Sequence, residues 1–129
     1  MTPPNTAARA AYLDASVATA SPAKLLVMLC DRLVRDISTA VEAQKTDDHP
    51  AAHPHLLHAQ EIVLELRASL RPDLWAGAAN LDAIYEFLYS RLVHANVHRD
   101  VDASGECLGL ATRIADTWRE AALQSVAAS

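Results

Sequence analysis

Val17-Ala18-Thr19-Ala20-Ser21-Pro22, followed directly by Leu25-Leu26-Val27-Met28-Leu29, is the stretch on which the fold turns. It reads as an extended arm that ends in a capped helix start. Ser21 is placed as N-cap, its hydroxyl accepting from an N–H that the first helical turn leaves without a partner. Pro22 falls at the first helical position, where a missing N–H costs nothing. From there Leu26, Leu29, Leu33, Ile37 and Ala40 recur at helical spacing, which predicts a helix from Pro22 to Lys45.

The pattern repeats along the chain. Thr46 to Pro50 is a polar break. A second helix is expected over about 54–70, with Leu56, Ala59, Val63, Leu66 and Leu70 on one face. Arg71-Pro72-Asp73 closes it, because a residue before proline is pushed out of the helical region. A third is expected over about 79–99, with Leu81, Ile84, Leu88, Leu92 and Ala95 inward. Asp100 to Ser104 is expected as a turn. The fourth helix then runs to about Ser125, with Cys107, Leu108, Ala111, Ile114, Ala115 and Trp118 inward. Gly105 and Gly109 weaken its first turns by about 1 kcal/mol each relative to alanine. Short connections favour antiparallel neighbours. The expected fold is therefore all-α: an antiparallel up-down bundle of four main helices over residues 21–125, behind a mobile N-terminal arm, residues 1–20.

Composition narrows the function classes. A chain of 129 residues makes one domain with a real core. Half the residues are apolar and only three are glycine; alanine and leucine abound while aromatics are few, which leans all-α. A net charge of −5 argues against a general nucleic-acid binder. No apolar run reaches the ~18–20 residues that span a bilayer, so no membrane insertion is expected. Met1 to Ala11 carries only Arg9 and no apolar h-region, so it does not read as a signal peptide. Cys30 and Cys107 sit inside helical patterns and read as small core residues, with a reduced cytoplasmic setting the simplest context.

Some apolar residues are left over once each helix has one inward stripe. Val27, Val34 and Val41 recur at heptad spacing, about 100° from the Leu33 face. Leu57 and Leu64 stand off the main face of the second helix. Tyr85 and Tyr89 flank the stripe of the third. Two readings stay open: a core widened by neighbours on both sides, or a groove that accepts a segment of another chain.

Catalytic signals are missing. There is no Gly-x-Ser-x-Gly, no glycine-rich phosphate loop and no cysteine beside a base in sequence, so neither an enzyme nor a cofactor is expected. Six histidines raise a metal hypothesis. His49, His53, His55 and His58 cluster, and His94 and His98 share a helix face. A metal centre needs three or four converging ligands, and solvated histidines are the plainer reading. A metal-binding bundle built on His94 and His98, or a self-associating bundle, is the alternative function. Asn80 reads as a helix cap or a partner contact, and Asn96 as a buried polar contact, a partner hydrogen bond or a local backbone bond.

Four blocks occur in one order: Tyr12 with Val17-Ala-Thr-Ala-Ser-Pro22, Leu25-Leu-Val-Met-Leu29 and Asp31; Ala59-Gln-Glu-Ile-Val-Leu-Glu-Leu66 with Ser69-Leu70; Asn80-Leu81, Ile84-Tyr85, Leu88, Arg91-Leu92, Ala95-Asn96 and Asp100; and Trp118-Arg-Glu120. Together they resemble the FliS family of flagellar export chaperones from Tyr12 to Glu120. The resemblance implies a helical bundle that binds the disordered C-terminal segment of flagellin in the cytosol, prevents premature polymerisation and delivers the subunit for export. Some members also contact the export gate or regulatory partners, a co-chaperone among them. Family blocks and leftover apolar faces together mark Tyr12, Val17, Leu57, Leu64, Asn80, Tyr85, Tyr89 and Asn96 as partner-binding residues. The chain departs from the family at Cys30, usually tyrosine, and at Arg32, usually glycine. It departs again in the segment Arg71 to Gly77 and at Gly105 and Gly109.

Overall fold

The computed structural model describes residues 21–70 and 77–128. They form four helices: α1 (Pro22–Lys45), α2 (His49–Ala68), α3 (Ala78–Val97) and α4 (Val101–Ala128). Tyr12, Val17 and the expected arm lie outside the described residues, as does the Arg71-Pro72-Asp73 stop.

The start of α1 is as the sequence predicts. Ser21 is extended, its hydroxyl accepts from Lys24 N–H, and Pro22 opens the helix. α2 starts earlier than expected, at His49. Asp48 caps it by accepting from Ala51 N–H, and Pro50 sits in the first turn, where no amide donor is required. Pro54 removes one helical hydrogen bond, on the exposed side of the helix. α4 likewise starts before the expected turn has ended. Asp100 accepts from Ala103 N–H through its side chain and from Ser104 N–H through its carbonyl, so the turn collapses into a cap.

The α1–α2 and α3–α4 connections share one geometry. In each, the second linking residue is left-handed, Asp47 (φ 58) and Arg99 (φ 51). Asp48 N–H returns to the Ala43 carbonyl and Asp47 N–H to Gln44; Asp100 N–H returns to Ala95 and Arg99 N–H to Asn96. This paired return satisfies two of the carbonyls that each helix end would otherwise leave free. The aspartate that ends one helix also caps the next, so both hairpins close in three residues.

Neighbours run α1–α2–α3–α4 and back to α1. Arg119 near the end of α4 meets Asp31 near the start of α1, and Arg67 near the end of α2 meets Asp82 near the start of α3. Both pairs fix antiparallel packing. Leu33, Ile37, Leu56, Val63, Leu66, Leu88 and Leu92 fill the centre and are fully buried. The valine stripe of α1 is largely absorbed: Val41 is buried and Val34 packs on the core, because α1 is flanked by both α2 and α4.

The helices do not contribute equally. The buried side chains of α4 are mostly small: Ala103, Ser104, Cys107, Ala111 and Ala115 beside one Ile114. Small side chains let α4 seat close against α1, and its contact with α3 is the sparsest of the ring. Gly105 and Gly109 are exposed on α4, with ordinary helical φ and open space where a side chain would stand. Gly109→Ala is expected to stabilise the protein by about 0.5–1 kcal/mol, because it removes unfolded-state freedom without a clash. The check is a higher urea midpoint with an unchanged slope.

Candidate binding groove

The loose α3–α4 seam opens into two adjoining apolar cavities. The larger, about 760 Å³, lies between the ends of α2 and α4 and the start of α3, with Leu26 of α1 at one side. Its walls include Leu66, Leu70, Leu81, Ile84, Leu110, Ile114 and Trp118, and Tyr85 forms part of its floor. The second, about 440 Å³, continues along the seam past Phe87, Leu88, Arg91, Glu106 and Cys107. Ile84, Leu110 and Arg113 line both, so the two form one groove. Volumes of this size, with apolar walls and few polar groups, suit a bound ligand or peptide segment.

Tyr85 is 1% exposed and part of the core. Its α3 position faces the bundle centre, so it bounds the groove from the inside. Trp118 Nε1–H donates to the Tyr85 hydroxyl at 3.1 Å, which ties α4 to α3 under the groove. Burial pushes the Tyr85 phenol up to about 12 despite that hydrogen bond, so it stays protonated as a fixed polar point in an apolar floor. Ile84 is displaced the other way. Expected inward, it is 40% exposed and lines the groove beside Phe87, because α4 stands too far from α3 to cover them.

The remaining expected partner residues lie elsewhere. Leu57 and Leu64 are exposed on α2 and line neither cavity. Asn80 is exposed in the first turn of α3 and is not its cap, a place held by Gly77. Tyr89 is partly buried against the core. Asn96 is buried, and its Oδ1 lies 3.0 Å from His53 Nδ1, so its partner is internal.

The histidines correct the solvated reading. His55 and His58 direct their Nδ1 atoms at the carboxylate of Asp36, a buried residue of α1, and Arg32 Nε stands 3.5 Å from the same group. Burial alone would raise the Asp36 carboxyl. The hydrogen bonds from His58 and His55, with the charges of His58 and Arg32, outweigh it and hold the group below its usual 3.8. A depressed carboxyl stabilises the fold above the unfolded-state value and loses that contribution as pH falls through the native one. Asp36→Asn is therefore expected to cost about 1–3 kcal/mol near neutral pH. The difference from wild type should close as pH falls below 3.8, read from urea melts across an acid series. His94 Nε2 pairs with Asp100 at 3.1 Å instead of joining His98 at a metal, and among the described residues no three ligands converge.

Neither cysteine is poised as a nucleophile. Cys30 and Cys107 are buried and free, and burial raises their thiols to about 11 and about 12.

The family model described as "Flagellar protein FliS" matches residues 4–125. The chain belongs to the FliS family. Its FliS relatives include the flagellar secretion chaperone FliS of Bacillus subtilis (strain 168), 34% identical over 86% of this chain and 83% of that protein. The flagellar secretion chaperone FliS of Escherichia coli (strain K12) is 30% identical over 86% of this chain and 83% of its own length. A solved structure titled "Crystal structure of flagellar chaperone from bacteria" superposes with a TM-score of 0.73 at 20% identity, covering 94% of this chain and 99% of that one. That likeness speaks for the fold. FliS is a family of flagellar secretion chaperones, not enzymes. Among the described residues, no FliS helix here is long and apolar enough to cross a membrane.

Proposed function

We propose that this chain is a cytoplasmic chaperone for the C-terminal segment of flagellin, which it keeps from premature polymerisation and presents for export. The observation that carries the reading is the continuous apolar groove along α3–α4 in a member of a secretion-chaperone family. A disordered segment loses ordering entropy when it folds on a partner, so its affinity must come from apolar burial along a long surface. The groove supplies that surface with Ile84, Phe87, Leu110 and Trp118. Leu57, Leu64 and Asn80 are exposed positions onto which a longer segment would extend, and Tyr12 and Val17 would contact the same client from the chain's start. An export-gate component or a co-chaperone would use other faces.

Calorimetric titration with the C-terminal segment of flagellin from the same genome tests this. Saturable one-to-one binding with a sizeable negative heat-capacity change is expected, the mark of apolar burial. A folded, helical sample that does not bind would overturn the reading, and so would binding with no heat-capacity change.

A further inference from the structure

We infer that Arg113 sets the register of the groove's occupant by pairing with a lone acidic side chain on it. The inference rests on the proposed chaperone reading. It starts from a position where, among the described residues, the groove is charged and uncompensated. Arg113 lines the two cavities where they join, and it is exposed. No carboxylate meets it among the described residues.

The neighbouring acids are committed elsewhere. Of the residues one helical turn from Arg113, Gly109, Leu110 and Thr117 carry no charge, and Asp116 is bonded to Arg119 at 3.0 Å. Two turns earlier on α4, Glu106 is taken by Arg91 of α3 across the seam at 3.2 Å. The groove therefore presents a net positive point on a chain whose overall charge is −5. A guanidinium recognises a carboxylate best, through two parallel hydrogen bonds.

Position defines the sequence of the occupant. Apolar walls lie on both sides of Arg113 along the seam, so the bound stretch carries apolar residues on both sides of a single Asp or Glu. Apolar burial supplies affinity in either direction of sliding, but only one register meets the cation. A segment displaced by one turn leaves its carboxylate against Ile84 or Leu110 and Arg113 covered without a partner, which is costly for both groups.

The test is titration of the full chain, wild type and variants, with the C-terminal flagellin segment at low and high salt. Wild-type affinity should fall with salt, and Arg113→Glu should weaken binding about tenfold or more. Arg113→Lys should stay within a few-fold. Reversing one acidic residue of the segment to lysine should weaken wild-type binding and restore that of Arg113→Glu. Such a swap separates pairing from any structural effect of the substitution. Wild-type binding that Arg113→Glu leaves intact, or that no single charge reversal rescues, would overturn the inference and leave the chaperone reading standing. No binding by the folded wild type would remove both.

Discussion

Tyr85→Ala is expected to be the most damaging single substitution in the described bundle. It removes a fully buried aromatic ring from the junction of α3, α4 and the groove floor. Truncation of this kind costs about 3–5 kcal/mol, since the transfer energy of the ring is lost and the space it held is not refilled. Against the ~5–15 kcal/mol that holds a typical domain together, that is a large fraction. Thermal unfolding should move down by about 10–25 °C. Tyr85→Phe isolates the hydroxyl. It keeps the ring and deletes only the bond from Trp118, so about 1 kcal/mol is expected. If both variants cost the same, the phenol's hydrogen bond, not its volume, secures the floor.

The second large effect is on binding. Ile84→Gln puts a neutral amide of similar size at a position shared by both cavities, without adding a charge that would meet Arg113. Because Ile84 is 40% exposed before any partner arrives, the fold should tolerate the change. In the proposed complex the same site would be covered. Losing the isoleucine's burial and stranding an amide there should cost about 2–4 kcal/mol. That corresponds to about thirtyfold to a thousandfold in affinity for the flagellin segment. Leu64→Gln on the outer face of α2 provides the contrast and should cost less, because a segment reaching it lies on a convex surface. A larger loss at Leu64 than at Ile84 would move the main contact from the α3–α4 seam to α2.

The fold was largely legible because local signals agree with one another. The Ser21-Pro22 cap, the inward stripes and the family blocks all point to four antiparallel helices, and the comparisons with known proteins point to the same family and bundle. The helix starts at His49 and Val101 were read late for one reason. Asp48 and Asp100 looked like loop residues, and only the hydrogen bonds to Ala51 and Ala103 reveal them as caps. The groove was harder. A helical stripe records which residues face inward, not how far away the next helix stands. Ile84 and Tyr85 follow each other in sequence, yet one lines an open seam and the other is sealed. What separates them is the run of small residues on α4, Ala111 and Ala115, which seats that helix toward α1. That run was visible in the sequence and would have been the signal. The histidines were misread for a related reason: Asp36 is a charged residue on a buried helix face, and it needed partners from the facing helix.

The two three-residue turns bear on how the chain reaches this shape. Each joins helices that pack directly on one another, so within a hairpin every contact can form between residues close along the chain. Polypeptides dominated by such near-neighbour pairings fold in microseconds to milliseconds, because little loop entropy is surrendered before contacts repay it. The α1–α2 and α3–α4 hairpins are natural kinetic units, and docking them against each other is the only step that draws together distant parts of the sequence. The seam that stays slack, α3–α4, lies inside one of these units. An occupant of the groove therefore inserts between two helices already joined by their turn, and the order in which the hairpins assemble need not change to admit it.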